Sequence, residues 1–463
     1  MNFVFLIALI NLILIVIFLF FFKFKISKHS WYFILFFCLL NVLLIFLFFP
    51  LSHQFLIDES FYMEAGKNIV LKNKLTLDNA EYEKQIGWPI ILSLSYKIFG
   101  IDNYVAIYTT IFLSCLSIFA FYLFTYLLFK KEKIAIISSL IYTLFPLRLQ
   151  MAASVETITF SLLFIFLTLC SFIIYSYNLN FKTQILGWLF FFFTIQIRLE
   201  NILLLIPIIF ILRKEKLSKK HFIILFLFIP FIYSFIFQYL RINNFYVKAY
   251  SGNIIFYGFS LAKFTLFNNL ELILLFIGMV GFLYYVKNRN FFLLFCMISF
   301  SFPFIYNYAD TFHFLPFFSF LIVLIGYLLF RIKKQFLIGL LIILLIISFY
   351  NIEVDDNLIL QTKLMHDLEI PKDCFLISSR SIFFTSTRNL RAYSVDEAIN
   401  KLRITPYFFE ECTYYIEDIL CYKNYYGTDA IKKCKEIKKK FKFNLFDTFS
   451  DGNSTVKYYS KVY

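Results

Sequence analysis

The feature that most constrains this chain is a series of apolar stretches of about 15 to 22 residues, which recur from its start to about residue 350. A helix needs about 20 apolar residues to cross the hydrocarbon core of a bilayer. Of the 463 residues 61% are hydrophobic and only 16% are charged, so a soluble domain would lack the polar residues to cover its surface. The sequence therefore predicts a polytopic all-α membrane protein.

We predict twelve membrane-spanning helices, two of which are short and separated by a single residue. They cover residues 3–22, 31–51, 104–129, 134–147, 155–177, 184–197, 199–212, 221–240, 267–286, 291–307, 314–330 and 336–351.

Basic residues fix the orientation of these spans. If the amino terminus lies outside, the cytoplasmic loops of residues 1–351 carry 17 Lys and Arg against two acidic residues, and the opposite side carries 10 basic and 11 acidic residues. Cytoplasmic loops are enriched in Lys and Arg, so this orientation is predicted. It puts the first loop (52–103), a second loop (241–266) and the tail (352–463) on the extracytoplasmic side of the cell membrane. The net charge of +15 is thus a signal of topology, and no nucleic-acid partner is predicted.

The tail, residues 352–463, has the balanced charge of a soluble domain, with 17 basic and 16 acidic residues. At about 110 residues it can bury a modest core of its own. We predict strands at 374–380 and 413–418, a helix at Ala430–Phe441 and a terminal hairpin around 451–453. The chain is therefore predicted to combine a transmembrane domain (1–351) with a small α/β extracytoplasmic domain (352–463).

The eight cysteines divide between these two parts. Four lie in predicted spans and are interpreted as small apolar residues, namely Cys38, Cys115, Cys170 and Cys296. Four lie in the tail, on the oxidising side, namely Cys374, Cys412, Cys421 and Cys434. Four cysteines allow three pairings, and we expect at least one disulfide, with Cys421–Cys434 favoured. No CxxC motif occurs, so a zinc site is not predicted.

Two adjacent carboxylates, Asp58 and Glu59, stand just past the second predicted span, and Tyr62 follows them. Ionisable groups at the edge of a membrane are costly, and they suggest an acid/base site served by substrates from both lipid and water. The alternative is that Asp58 is the N-cap of the helix that follows, because Asp is among the preferred N-cap residues.

The first loop is predicted to contain two helices that lie on the membrane. In the first, Phe61, Ala65 and Ile69 recur every four residues, which predicts one face in lipid. The second is predicted to begin after Trp88, with Pro89 in its first turn and a glycine just past its end.

Further charged residues occur at the predicted outer ends of spans. Glu156 opens the fifth span, and Arg198 and Glu200 lie between the two short spans. Ionisable residues at such a depth usually form pairs or line a polar cavity. Arg148 is instead interpreted as a side chain that extends to the membrane surface.

Asp310 and His313 precede the eleventh span, and His313 is either a phosphate partner or a polar cap. A common cavity at the outer membrane boundary would account for all of these candidates, which are Asp58, Glu59, Glu156, Arg198, Glu200, Asp310 and His313. No Gly-rich phosphate loop occurs, so a nucleotide substrate on the cytoplasmic side is not expected.

Four segments, DESFYMEA, GWPIILSLSYKIFG, RLEN and HFLPFFSFLIVLIG, follow one another along residues 50–330. In their order and topology they resemble the integral-membrane glycosyltransferases of the C-type fold, in particular the protein O-mannosyltransferase and lipid A aminoarabinose transferase group. The family often has Pro-Pro where this chain has Trp88-Pro89, and Arg where it has His313. The Trp-Trp-Asp-Tyr-Gly motif of oligosaccharyltransferases is absent.

The resemblance implies transfer of a sugar from a polyprenyl-phosphate-linked donor to an acceptor hydroxyl on the outer face, with inversion. It implies that Asp58 is the catalytic base, that Glu59 helps bind the acceptor, and that Arg198 steadies the leaving phosphate. Donor- or acceptor-binding roles are also expected for Tyr62, Lys84, Glu156, Glu200 and His313. The acceptor is a protein, a lipid or a glycan. No cofactor is predicted, and a divalent metal is left open.

Two other classes of function stay open at this point. A transporter or lipid flippase typically has internal repeats, ionisable residues near mid-membrane and spans broken by Gly or Pro. Here the charges map to one boundary, and the chain has only 12 Gly. A structural or assembly subunit would keep its function when Asp58 is replaced.

Overall fold

The computed structural model describes most of the helical part of the chain and the secondary structure of the tail. The described residues are 27–48, 57–76, 85–213, 269–286, 291–301, 314–332, 339, 371, 374–378, 391–393, 398–399, 412–417, 430–441, 444–450 and 455–461.

Most of the described helices of residues 1–351 overlap predicted spans, two lie in the first loop where helices were predicted, and one, Pro146–Ala152, lies mostly between two predicted spans. They are α1 (Lys28–Phe48), α2 (Ile57–Lys72), α3 (Gly87–Phe99), α4 (Asn103–Phe129), α5 (Glu132–Leu144), α6 (Pro146–Ala152), α7 (Thr157–Asn178), α8 (Phe181–Ile197), a 3-10 helix (Leu199–Leu204), α9 (Leu205–Leu212), α10 (Asn269–Val286), α11 (Phe292–Ser299) and α12 (Leu315–Ile332). The predicted spans 3–22 and 221–240 lie outside the described residues, as does 336–351 apart from Gly339.

Among the described residues, α1, α4 and α7 are each long and apolar enough to cross a membrane, and α5 with α6 adds a fourth candidate as one bent span. Several other described helices are apolar but shorter. These helices are typical of a membrane protein. The count of twelve spans stays a prediction.

The chain divides into two compact units. The first comprises Met1–Phe48, Glu83–Ile91 and Tyr108–Ile352, and the second comprises Phe49–Tyr82, Leu92–Ile107 and Glu353–Tyr463. The second unit includes parts of the first loop as well as the tail. The division of the chain into domains 1–351 and 352–463 therefore stays a prediction.

The core of the first unit forms around α12, which is buried on every side from Leu315 to Leu329. Small residues let its neighbours approach closely, as is common between membrane helices. A Cβ atom added to Gly281 of α10 would lie only 2.7 Å from the Leu324 carbonyl oxygen of α12. One added to Gly326 of α12 would overlap the Ser138 hydroxyl of α5.

Helices α5 and α6 form one apolar segment that bends by 65° at Phe145. Phe145 has an extended backbone (φ −70°, ψ 114°) and directly precedes Pro146. Proline disfavours a helical conformation in the residue before it, and it is itself favourable at the first position of a helix. The bend therefore follows from the sequence.

Helices α7 and α8 form a tight antiparallel hairpin. The hairpin turns at Leu179, which has a left-handed backbone (φ 45°), and at Asn180, whose side chain caps α8 by accepting from the Lys182 amide. Aromatic side chains fill the interface, with the Phe164 and Phe193 ring centroids 4.9 Å apart. This hairpin brings the start of α7 next to the end of α8.

The tail contains a five-stranded sheet with the order β2-β1-β3-β5-β4. The strands are β1 (Phe375–Ser378), β2 (Arg391–Tyr393), β3 (Thr413–Glu417), β4 (Asn444–Ser450) and β5 (Thr455–Lys461), and the helix α13 is Ala430–Phe441. Strand β1 pairs in parallel with β2 and β3, and β5 pairs antiparallel with β3 and β4. The predicted strands, helix and hairpin pairing are all present. Strand β2 was not predicted, because three residues are too short for an alternating pattern to be visible.

Helix α13 packs on the sheet through Cys434 and Ile437. Beside them, the Lys438 ammonium donates to the Glu417 carboxylate (3.1 Å) and to the Tyr459 hydroxyl (2.8 Å), and that hydroxyl donates to Glu417 (2.7 Å). Burial lowers the pKa of Lys438, but the hydrogen bonds to Tyr459 and Glu417 outweigh it and raise the pKa overall. The network therefore keeps Lys438 charged and anchors α13 to β3 and β5.

The cysteines behave largely as predicted. Cys374 and Cys412 form a disulfide, which ties the start of β1 to the start of β3. Cys434 is also disulfide-bonded, and Cys421 lies outside the described residues, so their pairing stays a prediction. The four cysteines of the helical region are free, and Cys170 and Cys296 are buried.

We expect Gly281→Ala to destabilise the helical unit, because the new methyl group would collide with the backbone of α12. Overpacking of this kind typically costs about 1–3 kcal/mol. The measurement is thermal unfolding of the detergent-purified protein. Gly339→Ala is the control, because a Cβ atom added there meets nothing within 4 Å. Equal unfolding temperatures for the two variants would contradict this prediction.

We also expect two disulfides in the tail, Cys374–Cys412 and Cys421–Cys434. Mass spectrometry of peptides from a non-reducing digest should recover both linked pairs. Recovery of Cys421 as a free thiol would show that Cys434 has another partner.

Candidate functional site

The candidate site of the first unit is centred on a break between two short helices. Helix α8 ends at Ile197, Arg198 has an extended backbone (φ −148°, ψ 124°), and the 3-10 helix then begins at Leu199. The Arg198 amide still donates to the Thr194 carbonyl at 3.0 Å. The break therefore projects one charged residue from the junction of two apolar segments.

The Arg198 side chain is almost fully buried, and it forms hydrogen bonds and an ion pair inside the protein. Its Nε donates to a carboxylate oxygen of Glu200 at 2.6 Å, and Nη2 forms an ion pair with the same oxygen. Its Nη1 donates to the Thr157 hydroxyl at 3.1 Å. A buried guanidinium is tolerated only when it is paired and hydrogen-bonded. Arg198 and Glu200 therefore form a pair with each other, which is one of the two arrangements expected from the sequence.

Glu156 lies at the N-terminus of α7, at the position expected from the sequence. It is the N-cap, with an extended backbone, and its carboxylate accepts from the Thr157 amide at 3.3 Å. The helix dipole favours a negative charge at this end of a helix. Thr157 thus contacts Glu156 through its amide and Arg198 through its hydroxyl.

Asn201 fixes the break and was not predicted. Its side-chain amide donates to the Ser161 hydroxyl (2.8 Å) and to the Thr194 carbonyl (2.9 Å), and its backbone amide donates to the Arg198 carbonyl (3.1 Å). The signal in the sequence was an asparagine, a residue with a hydrogen-bonding amide side chain, directly after Glu200 and before an apolar run. We call Glu156, Thr157, Arg198, Glu200 and Asn201 the Arg198 cluster.

The start of α3 packs against the chain on both sides of this cluster. The indole Nε1 of Trp88 donates to the Val155 carbonyl at 2.7 Å. A Cβ atom added to Gly87 would lie 2.9 Å from the Ile197 side chain and 3.0 Å from the Gln196 carbonyl. As predicted, α3 has Pro89 in its first turn and Gly100 directly after its last residue, but it begins at Gly87 and so includes Trp88.

Helix α2 carries the candidate catalytic carboxylate. It begins at Ile57, so Asp58 occupies its second position, and the alternative that Asp58 is the N-cap is not supported. Glu59 and Tyr62 are both buried. Lys84, Asp310 and His313 lie outside the described residues.

The prediction that α2 lies on the membrane with one face in lipid needs correction. Ala65, which was assigned to the lipid face, is fully buried, and so are the polar residues Glu59, Glu64 and Asn68. The Asn68 amide donates to the Thr76 carbonyl at 2.9 Å. The helix is therefore packed inside the protein on most of its circumference, and Glu64 and Asn68 are buried polar groups that sequence reasoning missed.

The interpretation of Arg148 was wrong. Its side chain does not extend to the membrane surface, because it is fully buried. One nitrogen donates to the Asn41 amide oxygen at 2.7 Å, another donates to the Ser114 carbonyl and hydroxyl at 3.0 and 2.5 Å, and the guanidinium lies over the Tyr142 ring. These partners belong to α1, α4 and α5, so Arg148 ties α6 to three helices.

No group of three or more His, Cys, Asp or Glu residues that could hold a metal ion occurs within the described part of the chain.

Comparison with known proteins reveals similarity in structure alone. No protein-family model and no curated protein matches the sequence. The structure is similar to that of ArnT from Cupriavidus metallidurans bound to undecaprenyl phosphate, with a TM-score of 0.62 and 10% identity over 93% of this chain and 98% of that one. ArnT in the apo state gives a TM-score of 0.64 with the same identity and coverage.

An oligosaccharyltransferase from Archaeoglobus fulgidus, in its apo form, is also similar, with a TM-score of 0.54 and 11% identity over 85% of this chain and 70% of that one. ArnT and this oligosaccharyltransferase both have the C-type glycosyltransferase fold. The chain has this fold too. The fold implied by the four sequence segments is thereby confirmed, and the likeness spans nearly the whole chain.

We expect Arg198 and Glu200 to be energetically coupled. Arg198→Gln and Glu200→Gln should each lower the unfolding temperature, and the double variant should lower it by less than the sum, because the second change removes an interaction already lost. The expected coupling is on the order of 1 kcal/mol. Thermal unfolding of the three variants in detergent measures it.

Arg331→Gln combined with Glu200→Gln is the control pair, because Arg331 lies in the last turn of α12 and is exposed. The effects of these two control substitutions on the unfolding temperature should add. Additive effects for Arg198 and Glu200 as well would mean that their ion pair contributes nothing measurable to stability.

Proposed function

We propose that this protein is an inverting glycosyltransferase that moves a sugar from a polyprenyl-phosphate-linked donor to an acceptor hydroxyl on the outer face of the membrane. The nearly complete overlap with the fold of ArnT supports this proposal. One of the two ArnT structures contains undecaprenyl phosphate, which is a lipid of the class proposed for the donor.

The observation that carries the proposal is the buried Arg198 beside the start of α7. Arg198 is 8% exposed, and its guanidinium contacts Thr157, the first residue of that helix. A guanidinium and a helix N-terminus both favour a phosphate group. They meet here between two helices whose other buried residues are largely apolar.

The proposed reaction is a single displacement at the anomeric carbon. The Asp58 carboxylate accepts the proton of the acceptor hydroxyl as the hydroxyl oxygen bonds to that carbon. The bond between the carbon and the phosphate oxygen breaks on the opposite side, and the electron pair leaves with the polyprenyl phosphate. Arg198 stabilises the charge that develops on this phosphate, which is the kind of electrostatic contribution that enzymes commonly use. Because attack and departure take place on opposite faces, the configuration inverts.

The remaining candidates support binding in this proposal. Glu59 and Tyr62 lie one turn apart on α2, directly after Asp58, and we assign them to the acceptor. Glu200 keeps the Arg198 guanidinium oriented and partly neutralised before the donor binds, and Glu156, the N-cap of α7, is assigned to binding as well. Lys84 and His313 stay assigned to donor or acceptor binding from the sequence.

The site and the tail are proposed to be extracytoplasmic, in a multi-pass protein of the cell membrane. The excess of basic residues on the opposite side supports this orientation. The disulfides of the tail support it as well, because disulfides persist in oxidising compartments.

The test is sugar transfer by purified protein in liposomes, with undecaprenyl-phosphate-linked radiolabelled hexoses and pentoses as donors and membrane extract as the source of acceptors. We expect the wild type to transfer label and Asp58→Asn to lose roughly 10²- to 10⁴-fold in rate, as is typical for removal of a general base. The assay is run with Mg²⁺, with Mn²⁺ and with EDTA, because a divalent metal stays open.

Glu132→Gln is the matched control, because Glu132 lies at the start of α5 on the predicted cytoplasmic side. It should transfer at the wild-type rate. Equal transfer by Asp58→Asn would remove Asp58 from the mechanism. If the wild type transfers none of these sugars but moves the labelled lipid between leaflets, the flippase alternative would replace the proposal.

A further inference from the structure

We propose that Trp88 is a positioning residue for the Arg198 cluster, and through it for the donor phosphate, an inference that rests on the proposed function. It is a feature of this chain, because the glycosyltransferases that it resembles often have proline at the corresponding position.

The first contact of Trp88 fixes the chain that leads into Glu156. The indole ring is fully buried, and its single N–H donates to the Val155 carbonyl at 2.7 Å. Val155 precedes the N-cap of α7, so its carbonyl lies outside the hydrogen-bond ladder of that helix. A buried carbonyl needs a partner, and Trp88 provides it.

The second contact, made by the residue before Trp88, fixes the chain that leads into Arg198. Gly87 is so close to the backbone of Gln196 that an added Cβ atom would lie 3.0 Å from both the carbonyl carbon and its oxygen. It would also lie 2.9 Å from the Ile197 side chain. Trp88 therefore contacts the backbone directly before Glu156, and Gly87 lies against the backbone two residues before Arg198.

The indole ring completes this arrangement by packing on the α7–α8 interface. Its centroid lies 5.1 Å from that of Phe160 on α7, and Phe160 in turn contacts Phe193 on α8 with centroids 5.9 Å apart. The Trp88 ring, the Trp88 N–H and Gly87 thus contact different parts of the same hairpin. Their combined effect is to set the distance between the N-terminus of α7 and the break at Arg198.

This distance matters for the proposed reaction. A phosphate held by both the Arg198 guanidinium and the N-terminus of α7 needs these two groups at a fixed separation. Misplacement of a binding group by about 1 Å can cost 10²-fold in rate. The Trp88→Phe variant keeps an aromatic ring but removes the N–H, and it leaves the Val155 carbonyl without its donor. Gly87→Ala acts on the other side of the cluster, by displacing the chain before Arg198.

The experiment measures steady-state transfer at varied donor and varied acceptor, with binding of undecaprenyl phosphate as a second readout. We expect Trp88→Phe and Gly87→Ala each to raise the donor KM and the Kd for undecaprenyl phosphate by about 10-fold, with an unchanged acceptor KM. A purely structural role would instead lower the amount of active protein, which reduces kcat and leaves both KM values unchanged.

Trp31→Phe is the matched control, because Trp31 is half exposed and stacks only on the Phe119 ring among the described residues. It should leave both donor readouts unchanged. If the wild type is active and Trp88→Phe equals Trp31→Phe in donor KM and lipid affinity, the role of Trp88 is refuted and the proposed function stands. If the wild type neither transfers sugar nor binds undecaprenyl phosphate, the proposed function fails, and the role of Trp88 fails with it.

Discussion

The burial of the Arg198 guanidinium is the interaction on which the rest of the candidate site depends. A charge held among apolar helices needs hydrogen bonds and a counter-charge nearby. The helix break provides both, since it turns Glu200 toward Arg198 within three residues and leaves the α7 terminus in reach of the same guanidinium. Asn201 then adds a second donor to the Thr194 carbonyl through its side chain, and its backbone amide donates to the Arg198 carbonyl. The helix break and the buried charge of Arg198 therefore stabilise one another.

The two buried arginines differ in a way that fits two different roles. Arg148 is fully enclosed, and its partners on α1, α4 and α5 are neutral groups. It holds the 65° bend between α5 and α6 against its neighbours. Arg198 is paired with an acid whose side chain is 23% exposed. A guanidinium paired with a partly exposed carboxylate can exchange partners when an anion arrives, whereas a guanidinium bound to three helices cannot do so without disturbing their packing.

Much of the fold could be predicted, because its causes are local. The length of the apolar stretches indicated most of the helices, Pro89 marked a helix start, and the residue pattern of the tail indicated β1, β3, β4 and β5. The predicted span 134–147, in contrast, runs across the bend at Phe145. What could not be predicted depends on contacts between distant segments. The enclosure of Arg148 requires Asn41 and Ser114, which are 107 and 34 residues away along the chain. The burial of Glu64 and Asn68 reverses the lipid face that the spacing of Phe61, Ala65 and Ile69 indicated. The pairing of Arg198 with Glu200 was predictable because the two residues are neighbours in sequence.

Trp88 and Pro89 fix the start of α3 in two different ways. Proline fixes a helix start through its own backbone, without any tertiary contact. Pro89 provides this local signal at the start of α3, and Trp88, the residue before it, provides a hydrogen-bond donor. The Trp88 N–H then reaches a carbonyl 67 residues away. The start of α3 is thereby fixed to α7 by a hydrogen bond and an aromatic contact. The residues that begin α3 therefore also set the position of α7.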